Sequence, residues 1–428
     1  MATQKVGLVE SVSMAIGGMV GGGIFAVLGV VAVNAGALAW FAFIVAGVIA
    51  LCAGYSFVRL NELVEGLTGP ISFIERFTGS TKLGGMAGWT FIVGYMGTMA
   101  MYAYAFGGYF VELSGVHGAL GVPLRPVVSV CVIAVFVGLN TLGAHASGRT
   151  EDLLVGLKVL ILLAFGGVGI YYASAHGDLT TGLSSFGVRP IIATAISFVA
   201  FEGWELLMFD QDSIRDPKAT VRKAIFVSIV FTTGLYILVA VVTTDLLPAS
   251  VIQTNAETAL AVAARPFFGE AGFVLISVAA LFSTASAINA TLFSSARLAK
   301  SLAAEDLLPQ QVESGGEEPV RALLVLGVLT AVFSAVGTLD GVTSFASMAF
   351  ILIFGAVSFL ALRERGTSTR TWLVPAIGVV GSLATVLALF WHLYETDLHA
   401  LGTVLVITVI VLAAEVFYFE RESILAAI

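Results

Sequence analysis

Five glycines lie within nine residues near the start of the chain, in the segment Gly17-Gly18-Met19-Val20-Gly21-Gly22-Gly23-Ile24-Phe25. Each glycine inside a helix costs about 1 kcal/mol relative to alanine, so the cluster predicts a break in an otherwise apolar helix. At membrane depth such a break exposes backbone groups that only protein or a water-filled cavity can satisfy. The N–H groups near Gly23 are then suited to a carboxylate, and the carbonyls of Gly18 and Met19 to an ammonium.

The same glycines have a second interpretation, in which they allow another helix to pack closely against this one. Close packing typically needs a small residue at every fourth position rather than three in a row. The sequence therefore favours the break and keeps close packing as the alternative.

A second awkward segment, Phe198-Val199-Ala200-Phe201-Glu202-Gly203-Trp204-Glu205, places a glycine near two acids inside an apolar run. A charged residue at membrane depth costs at least about 2.5 kcal/mol and is a functional candidate by default. Glu202 could select a cationic substrate or simply be buried in its protonated form. Glu205 could instead hydrogen-bond the backbone of a neighbouring helix.

Lys158 is the third ionisable residue inside an apolar segment. A buried lysine can take up and release a proton, so its position predicts proton coupling. The alternative is that its long side chain reaches the membrane interface by snorkelling.

Composition defines the class of protein to which these residues belong. The chain has 428 residues, of which 58% are hydrophobic and 11% charged, and its mean hydropathy is +1.00. These values predict an all-α polytopic membrane protein. The two cysteines, Cys52 and Cys131, indicate neither a disulfide framework nor a metal site, and the first five residues are too short for the positive flank of a signal peptide.

Apolar runs of about 20 residues are long enough to cross a bilayer as helices. Twelve are predicted, at 6–35, 36–58, 84–110, 126–142, 153–172, 190–208, 224–247, 271–292, 320–336, 341–362, 372–394 and 398–419. With the N-terminus in the cytoplasm, 16 of the 20 lysines and arginines lie inside, three lie outside and Lys158 lies within a span. This bias predicts a multi-pass plasma membrane protein with both termini cytoplasmic.

The two glycine-interrupted spans are the first and the sixth. Five spans separate their starting points. Because five is an odd number of crossings, the second block of five begins on the opposite side of the membrane and is inverted relative to the first. Broken helices at equivalent positions of inverted repeats point to a binding site at the midplane of a secondary transporter. The predicted units are residues 1–175, residues 176–365, and residues 366–428 with the two added helices.

Four stretches resemble the amino acid/polyamine/organocation (APC) transporter superfamily. They are Gly21-Gly22-Gly23-Ile24-Phe25, then Asn140-Thr141-Leu142-Gly143 with Leu153 to Lys158, then Phe201-Glu202-Gly203-Trp204-Glu205 with Asp216-Pro217 and Lys223-Ala224-Ile225, and last Ser294 to Pro309. Gly69-Pro70 and Val221 depart from the family pattern, which leaves the subfamily open.

The resemblance implies the fold of the sodium-coupled leucine transporters and a set of site residues. The N–H groups of Gly21, Gly22 and Gly23 would hold a substrate carboxylate. The family pattern also implies that the carbonyls of Met19, Val199 and Glu202 receive the substrate ammonium. It implies aromatic pocket walls at Phe201 and Trp204, and ion-site hydroxyls at Ser283 and Thr284. Phe201 and Trp204 could equally serve ordinary packing.

In sodium-coupled relatives an ion lies between the first and eighth helices, where the ammonium of Lys158 is expected here. The sequence thus predicts a secondary active transporter of amino acids that is proton-coupled through Lys158, with sodium the less favoured ion. The alternatives are a carrier or exchanger of cationic amino acids or polyamines, and a sensor that binds without transporting.

Other classes and partners are constrained as well. The five histidines form no H-E-x-x-H pair and no nucleophile motif is present, so an enzyme is not expected. A channel would need a ring of repeated filter residues, and none is seen. The predicted partners are a small-molecule amino acid, a proton and the lipid bilayer, with no cofactor, no metal and no nucleic acid. The oligomeric state is not predicted.

Overall fold

The computed structural model describes residues 5–64, 69–119, 121–142, 148–176, 180, 182–183, 187–309, 319–364, 366, 368–396 and 398–427. Within them the α-helices are α1 Leu8–Ala35, α2 Ala39–Leu63, α3 Pro70–Thr78, α4 Thr81–Ser114, α5 Leu124–Thr141, α6 Gly148–His176, α7 Arg189–Ser197, α8 Leu206–Phe209, α9 Pro217–Leu246, α10 Ala249–Thr254, α11 Ala259–Ala304, α12 Val320–Val336, α13 Leu339–Arg363, α14 Thr369–Thr396 and α15 Leu398–Ala427.

Shorter elements join some of these helices. Two-residue strands, β1 Gly118–Ala119 and β2 Val122–Pro123, form an antiparallel hairpin between α4 and α5. Turns of 3₁₀ helix span Gly36–Leu38, Phe198–Phe201 and Gln211–Ser213.

Each of the twelve predicted segments overlaps one of these helices or the interrupted pair α7 and α8. Eight helical segments of the described chain are long and apolar enough to cross a membrane, and one of them, Leu8–Leu63, contains both α1 and α2. The protein is therefore a multi-pass membrane protein. The count of twelve spans and the division into two inverted repeats remain predictions.

Helix α1 lies at the centre of the helix bundle. All its residues from Met19 to Ala32 are buried, and it packs against α7, α9 and α11. The outer helices expose large apolar side chains instead, among them Leu160 on α6 and Phe282 on α11. This arrangement suits lipid as the surrounding solvent.

The sixth span is interrupted in its middle. Helix α7 ends at Ser197 and passes through the 3₁₀ turn Phe198–Phe201. Glu202 then has extended backbone with φ −72° and ψ 144°, and Gly203 has φ +126°. Because L side chains rarely adopt such a φ, glycine is needed at the interruption.

The first span differs from the sequence prediction, since α1 is wound as one α-helix from Leu8 to Ala35. The helix is therefore unbroken at the glycine cluster, and the prediction of a break there is wrong. The glycines serve close packing instead: a Cβ at Gly18 would lie 2.8 Å from Gly203 Cα, and one at Gly23 would lie 2.9 Å from Ala200 Cα. A wound helix also satisfies the backbone groups that a break would expose.

The segment before α1 is joined to the segment that follows α8. The N–H of Val6 donates to the carbonyl of Ser213 at 2.9 Å, and the N–H of Arg215 donates to the carbonyl of Val6 at 2.8 Å. These bonds form a parallel bridge between Val6 and Ile214. The start of the first span and the end of the sixth are thus linked through their main chains.

Candidate functional site

A cavity of about 520 Å³ lies between α1, α4, α6, α11 and the interruption of the sixth span. Its polar lining includes Tyr95, Tyr102, Asn140, Lys158, Glu202, Ser286, Asn289 and Arg297. The backbones of Gly17, Gly18 and Gly203 also face it. The cavity therefore lies where α1 meets the sixth span, and it combines a buried ammonium, a buried carboxyl and main-chain atoms.

The cavity reaches the side of the membrane on which the N-terminus lies, called the near side below. Asp210, at the end of the sixth span, and the exposed Arg297, near the end of α11, line this part of it. Toward the opposite, far side, Phe25, Phe201 and Tyr236 are buried. The cavity thus opens toward the near side.

Lys158 projects from α6 into the wall of the cavity and is 6% exposed. Its ammonium Nζ donates to the carbonyl of Gly17 on α1 at 3.1 Å. A Cβ on Gly21 would lie 3.9 Å from the same Nζ and 2.9 Å from Ala287 Cβ on α11. The ammonium therefore lies close to α1 at the point where α11 also approaches it.

Glu202 and Glu205 are both buried, and tyrosines from one face of α4 approach them. Tyr102 Oη donates to Glu202 Oε2, and Tyr95 Oη donates to Glu205 Oε1, each at a distance of 3.5 Å. The N–H of Gly203 donates to Glu205 Oε2 at 2.7 Å. Glu205 thus holds the backbone of the interruption, whereas Glu202 lines the cavity.

The predicted backbone site on α1 does not offer free groups in this structure. The N–H groups of Gly21, Gly22 and Gly23 lie inside a continuous helix. The carbonyl of Met19 accepts from Tyr236 Oη at 2.6 Å. On the sixth span, the carbonyl of Val199 accepts from the N–H of Glu202 at 3.1 Å.

The two predicted aromatic walls are fully buried away from the cavity lining. Phe201 packs edge-to-face with Tyr236, with ring centroids 5.4 Å apart. Trp204 packs against Phe57 and Phe354, at 5.1 Å and 5.0 Å between ring centroids. In this structure both rings support the interrupted span rather than the cavity.

The predicted hydroxyls on α11 divide in their contacts. Ser283 Oγ donates to the carbonyl of Val20 on α1 at 3.0 Å. Thr284 Oγ1 donates to the carbonyl of Ala280 within its own helix at 2.7 Å. Of these two residues, only Ser283 therefore connects α11 with α1 through a hydrogen bond of its hydroxyl. The described residues contain no group of three or more His, Cys, Asp or Glu that could hold a metal ion.

Several site residues were missed by the sequence analysis. Tyr95 and Tyr102 are seven residues apart, which places them two turns apart on one face of α4. The hydroxyl of Tyr236 on α9 lies within hydrogen-bond distance of the carbonyls of both Met19 and Ala200, and its single proton can be donated to either. Asn140 Nδ2 donates to Asn289 Oδ1 at 2.7 Å across the cavity wall. Because a buried tyrosine hydroxyl usually needs a partner, tyrosines inside apolar spans were the available signal.

A bundle of apolar helices around a buried, charged, one-sided cavity defines a membrane transporter as the class of protein. The family described as amino acid permease matches residues 6–414. The chain therefore belongs to the amino acid permease family of the APC superfamily.

Related sequences extend over nearly the whole chain. The protein MJ0609 of Methanocaldococcus jannaschii is 32% identical over 398 residues, which cover 91% of this chain and 90% of that protein. The inner membrane transport protein YbaT of Escherichia coli is 31% identical over 400 residues, which cover 93% of this chain and 92% of that protein.

A solved structure shows the same fold at low sequence identity. MhsT in complex with L-phenylalanine superimposes with a TM-score of 0.62, at 12% identity, over 89% of this chain and 96% of that chain. The likeness supports the fold of the sodium-coupled leucine transporters expected from the sequence.

Proposed function

We propose that this protein carries α-amino acids across the plasma membrane by alternating access, coupled to protons through Lys158. The observation that carries the proposal is the bond from Lys158 Nζ to the Gly17 carbonyl, in the wall of a cavity that is open to one side. The substrate would sit between α1 and the interruption of the sixth span. The near side would be the cytoplasm, where 16 of the 20 lysines and arginines are expected.

The proposed coupling follows from the strength of that hydrogen bond. A charged ammonium donates a bond roughly twice as strong as that of a neutral donor. Loss of the proton would therefore loosen α1 from α6, and α1 is the helix that forms one side of the cavity. Ser283, which binds the Val20 carbonyl, would hold α1 to α11 in either state. Proton binding would thus alter which helices move together.

The proposed substrate contacts include a change in α1. Gly21, Gly22 and Gly23 would supply N–H donors to the substrate carboxylate once their helical turn opens. Because glycine has a low helix propensity, the free energy needed to open this turn is small. The carbonyls of Met19, Val199 and Glu202 would receive the substrate ammonium.

A carrier of cationic amino acids or polyamines is the second candidate function. The observation in its favour is the buried carboxyl of Glu202, which lines the cavity, accepts a long, 3.5 Å bond from Tyr102 and also faces the hydroxyl of Thr98. A carboxylate has room for further donors, and a substrate with an additional amine could supply them.

Thermal stabilisation of the purified protein tests both the substrate class and the ion. Neutral amino acids, cationic amino acids and polyamines are compared at two pH values, with and without sodium. We expect stabilisation by amino acids that depends on pH and not on sodium. If no amino acid raises the melting temperature, the proposal fails; a response to polyamines alone favours the second candidate.

Uptake in proteoliposomes tests the role of Lys158. Lys158→Ala is expected to abolish proton-driven uptake of a stabilising amino acid while the protein remains folded. Lys223→Ala, which removes an exposed lysine, is the matched control and should transport normally. Uptake by Lys158→Ala with an unchanged pH dependence would discard the coupling role, and counterflow in the unaltered protein would exclude a sensor.

A further inference from the structure

The short loop between α10 and α11 packs onto α1 and α4 at the far side of the protein. At Gly29 on α1, a Cβ would have no room because the carbonyl of Ala256 in this loop fills the space. At Gly108 on α4, a Cβ would likewise collide with the carboxyl of Glu257. Two adjacent loop residues thus fill glycine-sized gaps on two different helices, and the loop bridges α1 and α4.

The carboxyl of Glu257 belongs to a polar cluster at this end of the molecule. It faces the hydroxyl of Tyr104 on α4, and the backbone N–H of Leu339 on α13 faces the same hydroxyl. The guanidinium carbon of Arg125 on α5 lies 3.5 Å above the centre of the Tyr104 ring. Arg125 Nη1 also donates to the carbonyl of Ser334 on α12 at 3.4 Å.

These contacts connect five elements at the end opposite to the cavity. Tyr104, Glu257 and Arg125 are each half-buried. Water would reach all three more fully if the loop moved away from α1 and α4. For the transporter to open to the far side, the loop must leave α1 or α4. The contacts of Glu257 are polar contacts that oppose this movement.

We propose that Glu257, with Tyr104 and Arg125, forms a pH-dependent latch that holds the far side of the transporter closed. The latch positions the loop rather than contacting substrate. This inference rests on the proposed transport function only in that the protein must open alternately to both sides.

The sign of the pH dependence follows from the surroundings of the carboxyl. Burial raises the pKa of Glu257 above its ordinary value, the exposed Glu112 of α4 adds to this, and Arg125 and Tyr104 act in the opposite direction. In water the pKa would return to its ordinary value. The latched carboxyl therefore binds a proton more tightly than the released one, so the latch is strongest at low pH and weakens as the pH rises through the raised pKa.

Cysteine labelling of the purified full-length protein tests the latch without any substrate. The reporter is Ala26→Cys, which lies one turn below Gly29 on α1 and is fully buried. Cys52 and Cys131 are replaced by alanine, and labelling rates are divided by those of the exposed Val116→Cys to remove the intrinsic pH dependence of thiols. We expect the corrected rate to rise several-fold between about pH 5, just above the ordinary pKa of a glutamate, and about pH 8.

Three variants distinguish the latch from other causes. Glu257→Gln keeps the side chain neutral and should label slowly at both pH values. Gly108→Ala should displace the carboxyl and label quickly at both, while Gly138→Ala, which has open space around it, should behave like the parent. Glu270→Gln removes an exposed acid on the same side and should also match the parent.

If Glu257→Gln retains the pH dependence of the parent, or if Gly108→Ala labels no faster than Gly138→Ala, the latch is wrong. Because melting temperatures show which variants are folded, Tyr104→Phe provides an independent test should Gly108→Ala unfold: it should raise the labelling rate, and an unchanged rate would also overturn the latch. None of these results depends on which solute is transported.

Discussion

The backbones of Gly18 and Gly203 touch at the point where α1 crosses the interrupted sixth span. A Cβ on Gly203 would lie 2.6 Å from the carbonyl carbon of Gly18 and 2.7 Å from its Cα. Both residues face the cavity. This contact brings the two helices close enough for their main chains to form a common wall.

The first prediction concerns this contact. Gly203→Ala should lower the melting temperature, because alanine at φ +126° costs about 1–3 kcal/mol in backbone strain and its methyl group would push α1 away. Gly234→Ala, on α9 with open space around it, is the control and should be neutral or stabilising. Equal melting temperatures for the two variants would contradict the packing described here.

The second prediction concerns Tyr236. Its hydroxyl lies 2.6 Å from the carbonyl of Met19 and 2.8 Å from that of Ala200, so it connects α1 with the sixth span. Tyr236→Phe should destabilise the protein by about 0.5–1.5 kcal/mol, the net value of one hydrogen bond. Thermal melting measures the effect, with the exposed Tyr171→Phe as the control. A melting temperature no lower than that of the control would show that the bond contributes nothing.

The third prediction concerns substrate selection by Glu202. If its carboxyl receives a second amine, Glu202→Gln should abolish stabilisation by cationic amino acids and polyamines while neutral amino acids still stabilise. Thermal shifts of the parent and the variant across the two ligand sets measure this. Loss of stabilisation by both sets would instead assign Glu202 to recognition of the amino acid head group.

The fourth prediction concerns Trp204. Because this ring packs against Phe57 and Phe354 and its Nε1 has no hydrogen-bond partner among the described residues, Trp204→Phe should lower stability without changing the affinity for substrate. Binding is measured by the concentration dependence of thermal stabilisation. A weakened affinity in a folded variant would return Trp204 to the substrate site.

Part of this architecture could be predicted from sequence because the signals were local. Long apolar runs located the helices, and Gly203 near two acids located the interruption of the sixth span. Lys158 was found because a charge inside an apolar run is costly, whatever surrounds it.

The state of α1 could not be predicted in the same way. A glycine weakens a helix and also allows close approach, and the sequence does not show which property is used. The contacts of Gly18 with Gly203 and of Gly23 with Ala200 determine the outcome, and they depend on residues nearly two hundred positions away. The partners of Tyr236 were hidden for the same reason, since the main-chain carbonyls it binds carry no sequence signature.

The short parallel bridge at Val6 has a consequence for how the near side can open or shut. Since the chain entering α1 is bonded to Ser213 and Arg215, a swing of the first span must drag the tail of the sixth with it, or else two main-chain bonds must rupture. The two spans are therefore mechanically coupled at their near-side ends, and one cannot be displaced there without displacing the other.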